Sequence, residues 1–121
     1  MKLIIAGSRT FNDYALLKRT LSTLTFANGV TEVVSGTAAG ADKLGERWAV
    51  ENNIPIRKFH AEWTEFGKKA GMIRNNAMGL YCDEAVIFWD GQSRGSKNMI
   101  DVMERFKKPF KVIQFGGERH D

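Results

Sequence analysis

The chain has 121 residues, the usual length of one domain, and its hydrophobic fraction of 43% is enough for one packed core. We expect neither a signal peptide nor a membrane helix. The apolar start is interrupted at Gly7-Ser8-Arg9, and no apolar run approaches the roughly 20 residues that a membrane helix needs. Cys82 is the sole cysteine, so an internal disulfide is excluded and a reducing, cytoplasmic location is expected.

The formal net charge is +4, from 18 Lys and Arg against 14 Asp and Glu. Two interpretations fit this charge. One is a solvated surface with a mild excess of basic residues, and the other is a basic face that binds phosphates or nucleic acid. Charge alone does not choose between them.

The first half of the chain alternates between strand and helix patterns. Residues 2–6 form a nearly continuous apolar run that ends at a glycine, which is typical of a strand buried on both faces. Asp13 can cap the helix that follows, and residues 32–35 predict a second strand. Residues 41–53 predict a second helix, which Pro55 prevents from continuing. The apolar stripe of the first helix is Tyr14, Leu17, Leu21 and Leu24. That of the second helix is Ala41, Leu44, Gly45, Trp48 and Ala49.

The second half continues this alternation. Residues 60–67 are the longest irregular connection, and such loops often carry function. The helix over residues 68–82 is expected to turn Ile73, Ala77, Leu80 and Tyr81 inward. Three further strands are predicted at 56–59, 84–89 and 110–115, and a last helix at 96–108 with Met99, Met103 and Phe106 as its stripe.

Five strands alternating with four helices predict a Rossmann-like, three-layer α/β/α fold with a mainly parallel five-stranded sheet. We expect one domain over residues 1–115 and a frayed tail over residues 116–121.

Three strand-to-helix junctions are rich in Gly, Ser and Thr: residues 7–11, 35–42 and 90–96. In a parallel sheet all three lie at the same edge and form a crevice. Glycines let the backbone approach a ligand, and the N–H groups at a helix start favour an anion. Arg9 adds a charged fork suited to phosphate. The alternative is that these are ordinary turns, in which the same residue types are common.

The helix over 68–82 adds Arg74 and Asn75, which would reach a phosphate and a ribose or base edge, or would belong to a structural polar network. Asp42 and Asp90 would likewise bind the ligand or cap helix starts. The candidate ligand-binding residues are Gly7, Ser8, Arg9, Ser35, Gly36, Gly40, Asp42, Arg74, Asn75, Asp90, Gly91, Ser93, Gly95 and Ser96.

Several standard sites are absent from the sequence. No junction carries G-x-G-x-x-G or a Walker loop. One cysteine and two separated histidines provide no metal-ligand cluster, so no metal is predicted and the cofactor is unknown. His60 is a candidate general base without a visible partner, and Trp63 and Phe66 would either stack on a base or pack under their loop.

Four segments in order resemble the YspA-like branch of the SLOG superfamily, which includes the Smf/DprA proteins and the LOG phosphoribohydrolases. They are Ala6-Gly7-Ser8-Arg9-Thr10-Phe11, residues 35–42 (SGTAAGAD), residues 70–78 (AGMIRNNAM) and residues 89–96 (WDGQSRGS). The resemblance spans residues 2 to about 113. It implies a Rossmannoid fold and a nucleotide-type ligand.

Two relatives within the superfamily imply different functions. LOG enzymes cleave an N-glycosidic bond with a glutamate of the motif P-G-G-x-G-T-x-x-E, and Met99 stands at that position here, which disfavours this activity. Asp101 is near, and Asp42 or Glu62 would substitute only if the fold brings them in. DprA-type proteins bind single-stranded DNA, for which Phe11, Trp63 or Phe66 would have to stack on bases.

The sequence therefore predicts a binder of a nucleoside phosphate or an ADP-ribose-type ligand, acting as sensor or sponge. The alternatives are a nucleotide-processing hydrolase and a single-stranded DNA-binding module. A homo-oligomer is compatible with the sequence, nucleic acid is the less favoured partner, and no membrane partner is expected.

Overall fold

The computed structural model describes residues 1–24 and 29–116. Most of the expected tail therefore lies outside the described residues. The elements are β1 (Lys2–Gly7), α1 (Tyr14–Thr23), β2 (Glu32–Ser35), α2 (Ala41–Glu51), β3 (Ile56–Lys58), α3 (Trp63–Phe66), α4 (Ala70–Tyr81), β4 (Glu84–Trp89), α5 (Arg94–Arg105) and β5 (Phe110–Gln114), with a 3₁₀ turn at Gly67–Lys69.

The five strands form one parallel sheet in the order β3-β2-β1-β4-β5. This confirms the expected Rossmann-like fold. The chain starts at the centre of the sheet, extends it to one edge and then crosses to the other side of β1. The strand order thus reverses between β1 and β4, and a crevice opens at the carboxyl ends of strands at such a point.

Side chains alternate along the central strands and divide the core between the two faces of the sheet. On one face Leu3 and Ile5 of β1 pack with the buried residues of α1 and α2. On the other face Ile4 and Ala6 pack with those of α4 and α5. The two clusters give the α/β/α layers. No helix within the described ranges is both long and apolar enough to cross a membrane.

The connection at residues 60–67 is more ordered than expected, because Trp63–Phe66 forms the short helix α3. The amides of Glu65 and Phe66 both donate to the carbonyl of Glu62. One turn is too short to show a helical period in sequence, so the expectation of four helices was wrong. The described residues contain five α-helices.

The expected inward face of α4 was wrong for Ile73 and Leu80, whereas Tyr81 packs against the core as expected. Ile73 and Leu80 are 41% and 62% exposed, whereas Asn75, Met78 and Gly79 are buried. The reason is close packing against α5: a Cβ at Gly79 would lie only 2.4 Å from Cγ1 of Val102. The helix therefore turns the face that carries Gly79 toward α5 and leaves Ile73 and Leu80 outside.

The carboxyl end of α4 is held by a single lysine. Nζ of Lys108 donates to the carbonyl oxygens of Gly79, Leu80 and Cys82 at 2.8, 2.9 and 2.7 Å. The last carbonyls of a helix have no partners within it, and a cation there also suits the helix dipole. Lys108 thereby fixes the end of α4.

Replacing Lys108 with an apolar residue of similar length tests whether it fixes the carboxyl end of α4. Lys108→Met removes all three charge-assisted bonds and should lower the free energy of unfolding by roughly 1.5–3 kcal/mol. Chemical denaturation measures the change. Lys107→Met is the matched control, because Lys107 is exposed. Equal effects of the two substitutions would contradict the assigned role.

Candidate functional site

The carboxyl edge of the sheet carries a cavity of about 780 Å³, called here the main cavity. The three glycine-rich junctions, α3 and α4 all contribute to its walls. The candidate residues that line it are Gly7, Arg9, Asp42, Arg74, Asn75, Asp90, Ser93, Gly95 and Ser96. The fold thus brings these candidates, which come from distant segments of the sequence, to the wall of one cavity.

Ser8 lies behind the cavity wall and joins the three junctions. It is only 1% exposed. Its hydroxyl accepts a hydrogen bond from the amide of Asp90 at 3.1 Å, and its carbonyl accepts from the amides of Phe11 at 3.1 Å and Ala41 at 3.3 Å. Gly40 packs directly on this point: its φ is +80°, and a Cβ would lie 2.3 Å from the Ser8 carbonyl oxygen.

Three more candidates support the walls from outside the lining. The buried Ser35 hydroxyl donates to Glu46 at 2.6 Å and accepts from the amide of Thr37 at 3.1 Å. Gly36 is buried between two lining side chains. Gly91 has a φ of +87° and turns toward Gln114 on β5. These three residues therefore fix the backbone conformation of the second and third junctions and do not line the main cavity.

Arg74 and Asn75 connect α4 to two of the junctions. Nη1 of Arg74 donates to the carbonyl of Gly36 at 2.6 Å, and Nε donates to Oδ1 of Asn75 at 2.9 Å. Nδ2 of Asn75 donates to Oδ1 of Asn98 at 2.9 Å and to the carbonyl of Gly95 at 3.3 Å. The pair thus forms a polar network and also lines the main cavity, so the structural role and the ligand-binding role expected from the sequence are both compatible with its position.

Asp42 presents a buried carboxyl group at the cavity wall, only 5% exposed. Burial raises its pKa to about 6, against the opposing effects of the Ala38 amide, which donates to it at 3.1 Å, and of the Arg74 guanidinium. A carboxylate so placed is an acceptor for a hydroxyl group of a ligand.

The start of α5 lies at the wall of the main cavity. Asp90 accepts from the amides of Gln92 and Ser93, both at 2.8 Å, and these bonds lower its pKa. The Ser93 hydroxyl caps the helix by accepting from the amide of Ser96 at 3.3 Å. The amides of Arg94 and Gly95 have no acceptor among the described residues. Two free amides and the helix dipole thus favour an anion here.

Basic side chains line the same cavity. Lys97 is paired with Asp101 at 2.5 Å. Arg9, Lys68 and Arg94 are exposed and form no ion pair with any residue in the described ranges. Lys68 and Arg94 were not among the candidates from sequence, since isolated surface cations are too common to single out.

The aromatic candidates are separated by the fold. Trp63 lines the main cavity and is 52% exposed, and Phe66 lines a smaller cavity beside it. Phe11 is 1% exposed and stacks on Phe88 with centroids 4.6 Å apart. The suggestion that Phe11 could stack on a base was therefore wrong, because its ring is part of the core.

Carboxyl groups near the site differ in position. Met99, at the position of the LOG glutamate, is 2% exposed and belongs to the cavity lining. Asp42 lies at the main cavity, while Glu62 lines the smaller cavity with His60. Of the two suggested substitutes for that glutamate, the fold brings Asp42 to the main cavity.

Comparison with known proteins agrees with this architecture. A model of the YspA, cpYpsA-related SLOG family matches residues 1–66. The chain belongs to this family. It is also 32% identical over 123 residues to the Gene 61 protein of Mycobacterium phage D29, an alignment that covers 95% of this chain and 96% of that protein. No solved structure matches the chain.

Family membership confirms the resemblance seen in the sequence and indicates nucleotide-related binding or processing. The matched region contains the first two junctions, with Arg9 and Asp42. Arg74, Asn75 and the start of α5 lie beyond it, so their link to the site rests on the cavity geometry.

The raised pKa of Asp42 has a consequence for stability. A pKa of about 6 in the folded chain, against an ordinary 3.8, means that the folded state holds the proton more tightly than the unfolded state. Ionisation of Asp42 therefore opposes folding. The contribution of Asp42 to the free energy of unfolding should fall by up to about 3 kcal/mol between about pH 4 and pH 7 and then stay constant.

Urea denaturation of the wild type and Asp42→Asn over this pH range measures the effect. Because the amide side chain of the variant does not titrate, the variant should gain stability relative to the wild type as the pH rises. Parallel curves would show that Asp42 has no raised pKa.

Proposed function

We propose that this SLOG-family protein binds a nucleoside phosphate or an ADP-ribose-type ligand in the main cavity, as a sensor or sponge. One observation carries the proposal. The free amides at the start of α5 open into the same cavity as the cations Arg9, Lys68 and Arg94, which are unpaired within the described ranges.

The phosphate would lie at the start of α5. The amides of Arg94 and Gly95 supply directional donors, and the helix dipole favours negative charge at that end. Arg9 reaches the cavity from the first junction and adds a planar guanidinium that can bind two phosphate oxygens. The start of α2 is less suited to an anion, since Asp42 lies in its first turn.

The sugar would lie between the phosphate and Arg74. Asp42 would accept from a ribose hydroxyl, and Arg74 would face the ligand with Nη2, which has no hydrogen-bond acceptor among the described residues. The Ser8 hydrogen bonds hold the three junctions in one arrangement around this position. The site is thereby preorganised, which lowers the entropic cost of binding.

The mixture of charges favours a small ligand over a long strand of nucleic acid. Asp42, Asp90 and Asp101 share the cavity lining with the cations, whereas a groove that tracks a nucleic-acid backbone is positively charged. Single-strand binding, turnover, a homo-oligomer and the cytoplasmic location all stay predictions from the sequence.

Removal of the two arginines tests the proposal. Arg9→Gln/Arg94→Gln should weaken binding of AMP or ADP-ribose at least tenfold in isothermal titration, because each charge-assisted bond contributes about 1.5–3 kcal/mol. Both side chains are exposed and unpaired within the described ranges, so the variant should melt within about 2 °C of the wild type.

Arg19→Gln/Lys107→Gln is the matched control, because it removes the same charge from exposed positions outside the cavity lining. Its affinity should equal that of the wild type. Equal losses in both variants would indicate only a general charge effect. Steeply salt-dependent binding of single-stranded DNA without binding of any nucleotide would replace this proposal with the DprA-like alternative.

A further inference from the structure

We propose that the smaller cavity beside the main one holds the base of the bound nucleotide. This inference rests on the proposed function and adds to it the part of the ligand that gives selectivity. The smaller cavity has a volume of about 340 Å³ and lies between β3 and the α3–α4 segment. It is called here the side cavity.

Arg74 lines both cavities, and among the described residues no other side chain does so. Helix α3 flanks both as well: Trp63 lines the main cavity, and Phe66, three residues further on, lines the side cavity. In the proposed binding mode, one ligand extends from the start of α5 past Arg74 into the side cavity. A ligand with a phosphate at one end and a flat ring at the other suits this arrangement.

The walls of the side cavity suit an aromatic ring. Phe59, Phe66, Ile73, Ala70 and Ala77 provide apolar surface. Phe66 and Ile73 are each 41% exposed, although large apolar side chains are usually covered. A base inserted here would cover them and stack on an aromatic ring.

Phe59 is held in place before any ligand binds. Its amide donates to the carbonyl of Ser35 at 2.8 Å, and its ring contacts Tyr81 with centroids 5.5 Å apart. These contacts hold Phe59 against β2 and α4, whereas Phe66 lies on the short helix α3.

Polar groups complete the side cavity. Lys58, His60 and Glu62 line it beside the aromatic rings and offer both donors and acceptors. His60 lies 3.4 Å from the hydroxyl of Thr37, a residue of the second junction with a φ of +65°. A base edge has several donors and acceptors in a fixed pattern, so this set of side chains would discriminate between bases.

The test separates the base from the rest of the ligand. The tightest-binding of the four common nucleoside 5′-monophosphates is compared with ribose 5-phosphate by isothermal titration on each variant. Phe66→Ala and Ala77→Leu change the side cavity by truncation and by filling. Leu80→Ala is the matched control, because Leu80 lies on α4, is 62% exposed and lines neither cavity.

Phe66→Ala and Ala77→Leu should each weaken nucleotide binding roughly 5- to 100-fold and leave ribose 5-phosphate affinity within about twofold of the wild type. Leu80→Ala should change neither. The wild type should bind the nucleotide more tightly than ribose 5-phosphate.

Four results would overturn the inference. If the two ligands bind the wild type equally, or if both side-cavity variants weaken both ligands equally, the side cavity does not hold the base. If Arg9→Gln/Arg94→Gln loses both ligands while the side-cavity variants lose neither, the proposed function stands and this inference fails. If neither of these ligands nor ADP-ribose binds the wild type, both proposals fail.

Discussion

The site depends on one buried residue, Ser8. Its hydroxyl and carbonyl together join the junctions after β1, before α2 and after β4, which are far apart in sequence. Inside a protein a buried polar group needs partners, so these bonds specify the arrangement as well as stabilise it. Gly40 allows the closest approach at this point, where any side chain would collide with the Ser8 carbonyl.

Around this fixed point the sheet places two cavities with different linings. At the reversal of strand order, cations and free helix amides line the main cavity. Toward β3, apolar and aromatic side chains line the side cavity. Arg74 stands between them and is itself held by Gly36 and Asn75. The fold thus places charged and apolar side chains in two cavities that share Arg74.

The fold was largely predictable because each central strand is a short apolar run and each long helix has an apolar stripe. The junctions were predictable for a similar reason, as glycines and small hydroxyl residues mark strand ends. The face of α4 was not, because Gly79 packs against Val102 only once α5 is in place. No periodic pattern in the sequence marks α3 or the residues that line the side cavity. The burial of Phe11 was not predictable either, because it depends on the contact with Phe88.

The proposed function requires a phosphate at the start of α5. Backbone amide chemical shifts, followed by NMR during titration with a nucleoside 5′-monophosphate, locate the phosphate on the chain. Saturable shifts centred on the amides of Arg94 and Gly95 are expected, since these lack acceptors among the described residues and a phosphate would supply them. Saturable binding that leaves these two amides unmoved would contradict the proposed function.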